Sequence, residues 1–162
     1  MKLVSSLSLA TAEKLVDAVI KTGRKEQMKP LTVAVLDSGG RLVAMKSEDG
    51  SGLLRFDIAY GKAWGALGMG LSSRTIRDYL EARPSFQTSL AVAAEGRFIP
   101  VPGGVLIENS DGMTIGAVGV SGDTSEKDEY CAILAIKKIS GLTSKPAEID
   151  PNWQASSLSD QH

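Results

Sequence analysis

A chain of 162 residues is long enough for one ordinary domain that buries its own core without a disulfide or metal staple. Eighteen Lys and Arg against nineteen Asp and Glu leave a net charge of -1, so nothing in the bulk balance draws the chain to nucleic acid or to an anionic membrane. The single cysteine, Cys131, forms no internal disulfide, reads as a small core residue and is compatible with a reducing compartment.

Near the start, Lys2 precedes an uncharged stretch from Leu3 to Ala12 that ends Ala10-Thr11-Ala12, a pattern reminiscent of a signal-peptidase site. Three serines and a threonine interrupt it, and cleavage there would remove the start of a well-patterned helix, so we read no leader. No uncharged run approaches the ~18 apolar residues of a membrane span. The expectation is a soluble, cytoplasmic protein with no membrane or nucleic-acid partner.

Ser8 is placed to cap a helix whose positions Leu9, Ala12, Val16, Val19 and Gly23 step by three and four, with Leu15 widening the stripe. Pro30 stops any continuation and pushes Lys29 into an extended conformation. Residues 31–36 (LTVAVL) then read as a strand, Asp37-Ser38-Gly39-Gly40 as a turn and residues 42–45 as the returning strand of a hairpin. Residues 53–69 have helical spacing, and the small residues Gly61, Gly65 and Gly68 within them point to a close approach by another element. Ser72 or Ser73 caps a short helix to about residue 83, and Pro84 opens a further turn that ends near Gly96.

Residues 98–101 and 104–107 read as short strands flanking Pro102-Gly103, and Asn109-Ser110-Asp111-Gly112 turns the chain into a long strand at 113–120. Thr124 or Ser125 caps a last helix through about residue 140, with Gly141 as its stop. Two hairpins and no βαβ alternation predict an α/β (α+β) domain over residues 1–141 with a five-stranded antiparallel sheet covered by helices. Residues 142–162, Ser-, Pro- and Asp-rich, read as a C-terminal tail. There is no internal repeat.

The only histidine is His162, read as a disordered terminal residue, so histidine triads and multi-histidine metal sites drop out. The strongest local signal is glycine: Pro102, Gly103 and Gly104 in one segment and Gly119, Ser121 and Gly122 in another. Glycine within a strand marks a bulge, close packing, or a place where a ligand meets the backbone. Because Ser121-Gly122 runs into a helix N-terminus, these residues form a candidate carboxylate or phosphate site. Neither cluster has the spacing of a P-loop or dinucleotide fingerprint. Lys62, in an otherwise small and apolar helix, either snorkels, forms an ion pair, or offers its ammonium to the ligand. Asp49, opening the loop before that helix, is a candidate binding residue or a simple turn former. No catalytic residue and no metal ligand is assigned.

Several segments, taken together and in order, resemble the GlcG/HbpS family, which includes the C-terminal domain of PduO-type proteins. They are Ser8 to Val19, the run Val33-Ala34-Val35-Leu36-Asp37-Ser38-Gly39-Gly40-Arg41-Leu42-Val43-Ala44, Asp49-Gly50, Asp57-Ile58-Ala59-Tyr60-Gly61-Lys62-Ala63, Pro102-Gly103-Gly104-Val105, Gly116-Ala117-Val118-Gly119-Val120-Ser121-Gly122 and Asp128. The resemblance implies a profilin-like fold with helices on both faces of the sheet, homo-oligomeric assembly, and haem or related tetrapyrrole binding in some members. Members that ligate haem through histidine carry it near the first helix, and this chain has none there. The function expected is therefore a small-molecule-binding accessory protein, taking a tetrapyrrole or a carboxylate. The alternatives are an enzyme acting on a small carboxylated metabolite through Lys62 and the glycine-rich pocket, and a purely structural partner subunit.

Overall fold

The computed structural model describes residues 4–158 and runs α1 (Leu9–Lys25), β1 (Thr32–Asp37), β2 (Leu42–Ser47), α2 (Arg55–Met69), α3 (Ser73–Leu80), α4 (Pro84–Ala93), β3 (Gly104–Glu108), β4 (Thr114–Ser121), α5 (Ser125–Lys137), β5 (Thr143–Lys145). His162 lies outside the described residues. The strands form one antiparallel sheet in the order β2-β1-β4-β3-β5. No described helix is long and apolar enough to cross a membrane.

Alternation along the central strands divides the core into two layers. On one face Val33, Val35, Val105, Ile107, Val118 and Val120 pack with Leu15, Val16 and Val19 of α1 and Ile133 and Ile136 of α5. On the other, Leu36, Leu106 and Ala117 meet Ala63 and Ala66 of α2. The local caps are those the sequence offers: the Ser8 hydroxyl accepts from the Thr11 N–H, and that of Thr124 from the Lys127 N–H. Helix α5 ends at Lys137 rather than near residue 140, because the chain tightens there, with Ile139 N–H donating to Ile136 O.

Two expectations about the sheet need correction. Residues 98–101 form no strand: Ile99 N–H donates to Gly61 O, and a Cβ on Gly61 would stand 2.6 Å from Ile99 Cγ1. The β-branched, apolar run finds its burial in the glycine face of α2 and not in a ladder. The fifth strand comes instead from the segment read as tail, where Thr143–Lys145 pairs with Leu106, Ile107 and Glu108. Beyond it the chain returns across α5, with the Trp153 ring stacked on Tyr130 at 3.6 Å between centroids and the Ser156 hydroxyl 2.6 Å from that of Thr124.

One carboxylate in this scaffold carries a pH signature. Glu129 of α5 is buried, and Arg74 Nε stands 3.1 Å from its Oε2 yet makes no hydrogen bond to it. Burial, against the pull of the Arg74 charge, pushes its pKa up from 4.5 to about 7. A raised folded-state pKa means that the stabilising contribution is complete below pH 4.5 and is lost as the pH climbs through 7. Glu129→Gln removes the charge and keeps the shape, so it should match the native chain in acid and exceed it at pH 8 by about 1 to 2 kcal/mol. Urea midpoints at the two pH values check this; a Gln variant weaker at pH 8 would show that the ionised carboxylate is well compensated.

Candidate functional site

Helix α2 lies on the sheet through bare backbone. Ala34, Gly119 and Gly104 are cross-strand neighbours on β1, β4 and β3 and form a row without bulk. A Cβ on Gly119 would stand 1.9 Å from the Ala59 carbonyl oxygen, and one on Gly104 would stand 2.2 Å from that of Lys62. These glycines are therefore filled by the helix. Gly104 has no free donor either, since its N–H donates to Ser73 Oγ at 2.8 Å. A Cβ on Gly122 would meet the Pro30 carbonyl oxygen at 2.4 Å. Pro102 is buried, and Gly103, at φ +120°, lies where a Cβ would be 2.9 Å from Lys62 Nζ.

This close seat drives Lys62 into the interior, where it is the largest fully buried side chain of the described residues. Its ammonium donates to Asp128 Oδ2 at 2.9 Å and to the Val120 carbonyl at 3.0 Å. Of the roles open to Lys62 in the sequence, the ion pair is the one the geometry displays. Burial pushes the Asp128 carboxyl up, while Lys62 and the Asp123 N–H pull it down.

The N-terminus of α5 is already furnished with anions of its own. Asp128 Oδ1 accepts from the Asp123 N–H, and Asp123 in turn accepts from the Thr124 and Lys29 N–H groups and from Lys127 Nζ. Burial works to raise Asp123, but the backbone donors of Lys29 and Thr124, aided by Lys127, outweigh it and hold the carboxyl below its usual range. The place where a free anion was expected is taken by these two side chains.

A cavity of about 430 Å³ lies between the start of α2 and the start of α5. Arg55, Lys62, Ser121, Ser125, Asp123 and Asp128 supply its polar wall, and Ile58, Ile99, Val101 and Leu158 its apolar one. Of the predicted binding residues, Lys62 and Ser121 line it directly. Asp49 is exposed and lines a separate depression with Arg24, Pro30, Ser47 and Glu48.

Arg55 is the residue the sequence reading missed. Its Nη1 donates to Ser121 Oγ at 3.3 Å, the one hydrogen bond of its guanidinium among the described residues. A signal for it existed: Arg55, Ile58 and Lys62 are spaced i, i+3, i+7 and share one helix face. Among the described residues, no cluster of three His, Cys, Asp or Glu side chains gathers to hold a metal ion.

Compared with known proteins, residues 7–137 match the family described as "Haem degrading protein HbpS-like". The chain belongs to the HbpS-like family. An uncharacterized 15.0 kDa protein from the dhaT-dhaS intergenic region of Citrobacter freundii is 30% identical over 139 residues, 86% of this chain and 96% of that protein. Among solved structures, a PduOC:heme complex superposes with a TM-score of 0.75 at 26% identity, covering 85% of this chain and 96% of that one. Klebsiella pneumoniae protein ORFY gives 0.74 at 28%, covering 85% and 92%. This HbpS-like chain therefore has the layered, helix-covered antiparallel sheet that the resemblance implied.

Proposed function

We propose that this HbpS-like chain is a small-molecule-binding accessory protein whose ligand sits in the cavity between α2 and α5. The observation that carries the reading is the pairing of Lys62 with Asp128. The two groups in that wall best suited to covalent or acid-base chemistry hold each other, while the cavity around them stays open. An enzyme working through Lys62 would need that ammonium free.

The family description and the heme complex of PduOC raise haem as a ligand, and the residues present do not fit a ligated iron. Among the described residues there is no histidine. The Tyr60 hydroxyl donates to the Gly40 carbonyl, and the Cys131 thiol is buried against Met28 sulfur at 3.4 Å, where burial pushes its pKa up. Met69 lines an apolar cleft of about 190 Å³ with Trp64 and Phe98, smaller than the roughly 300 Å³ at which small-molecule sites begin.

Native mass spectrometry of the purified chain tests the reading. A retained small molecule is expected, and it should be lost from Ile58→Trp, which fills the cavity. The same spectrum reads the subunit number. Homo-oligomeric assembly is part of the proposal, supported by the strongly exposed Leu53 and Leu54 at the start of α2. Cytoplasmic placement is part of it too, supported by the unpaired, buried Cys131. Hemin titration should give a non-saturating Soret change. A sharp one-to-one endpoint with a six-coordinate spectrum, or turnover in a metabolite panel, would overturn the reading.

A further inference from the structure

We propose that Arg55 anchors the carboxylate of a small monoanionic ligand, with Ser121 as its positioning partner and the apolar wall receiving the ligand's short hydrocarbon part. The proposal deepens the binding function above and rests on that reading of the cavity.

Charge in the cavity wall decides the ligand class. Lys62 neutralises Asp128 at 2.9 Å, and Lys127 approaches Asp123 to 3.3 Å. Arg55 forms no ion pair within 4 Å among the described residues and acts on Asp128 only at longer range, so it is the cation of the wall without a close carboxylate. A guanidinium carries five N–H donors, and the Ser121 hydroxyl occupies one. The rest form a planar fork matched to the two oxygens of a carboxylate.

A phosphate dianion fits less well. It would bring two negative charges to one guanidinium, with Asp123 and Asp128 already in the same wall. The apolar part of the lining, Ile58, Ile99, Val101 and Leu158, offers no polar side chain and suits an aliphatic tail.

Titration calorimetry of the full chain with butyrate, its neutral isostere butyramide and inorganic phosphate tests the anchor. Saturable butyrate binding is expected, with butyramide and phosphate each at least tenfold weaker. Arg55→Gln should weaken butyrate about 10- to 100-fold, Arg55→Lys should restore part of the loss, and all three proteins should melt alike. Equal butyrate affinity in the Gln variant, equal binding of butyramide, tighter binding of phosphate, or no saturable binding of butyrate overturns the anchor. The Ile58→Trp arm separates the two levels. If the molecule retained on purification is lost from Ile58→Trp and kept by Arg55→Gln, the anchor fails and the cavity reading stands. If Ile58→Trp leaves all binding intact, both fail.

Discussion

Lys62→Met is expected to cost about 3 to 5 kcal/mol of stability, because it leaves the Asp128 carboxylate buried without its partner. Asp128 is 1% exposed, and the N–H of Asp123 is its one remaining hydrogen-bond donor. The loss should depend on pH with a defined sign. Burial already raises the folded-state pKa of Asp128, and removal of the ammonium raises it further. Below the ordinary carboxylate range Asp128 is protonated in both states and the deficit is small. As the pH rises the unfolded chain ionises first, so the deficit grows toward neutrality. Asp128→Asn in the same chain should recover most of the loss, since the neutral amide keeps an acceptor for the Asp123 N–H. Urea unfolding at pH 4 and pH 7.5 of the native, single and double variants measures this. A single variant with native stability at pH 7.5 would mean that water reaches Asp128 in the folded protein.

Gly119→Ala should cost about 3 kcal/mol or more, a large effect for one methyl group. The added carbon would stand 1.9 Å from the Ala59 carbonyl oxygen and 3.0 Å from Ala63 Cβ, so relief requires α2 to lift off β4. Gly104→Ala, 2.2 Å from the Lys62 carbonyl, should behave in the same way. The control is Gly52→Ala, where the nearest atom is Arg55 Cγ at 3.8 Å and the change should stay within about 0.5 kcal/mol. Thermal melts rank the three. If Gly119→Ala melted with the control, the helix would have room the geometry denies it. These costs fall on folding, so a loss of ligand affinity in either variant would report a displaced helix rather than a blocked ligand path.

Much of the architecture is legible in the chain because its signals are local. The stripe behind Ser8, the Asp37-Ser38-Gly39-Gly40 turn and the small-residue face of α2 each lie within one element and its immediate flanks. Where a choice of partner decides the outcome, local signals run out. The run Phe98, Ile99, Pro100, Val101 has strand composition, yet its burial is set by Gly61 and Gly65, more than thirty residues earlier. Thr143, Ser144 and Lys145 have no apolar alternation, yet they pair with β3.

The candidate site divides in the same way. The glycines near a helix N-terminus lie beside a cavity that Lys62 and Ser121 line. Their purpose is different: Gly104 and Gly119 admit helix backbone. Lys62 and Asp128 are both plain in the sequence, but a separation of 66 residues hides their meeting. Arg55 is legible at i, i+7 from Lys62 only once that helix face is known to border a cavity.

The seat of α2 on Ala34, Gly119 and Gly104 has a consequence for how such a protein changes over time. A helix held by peptide groups against peptide groups keeps its height above the sheet whatever side chains it carries farther along. Arg55, Ile58 and Val101 line the cavity and take no part in that row, so exchanging them leaves the frame in place, whereas changing the small row does not. A lineage built on this plan can trade one guest for another by a few substitutions in the cavity lining, and divergence should therefore gather there while the row that seats the helix stays fixed.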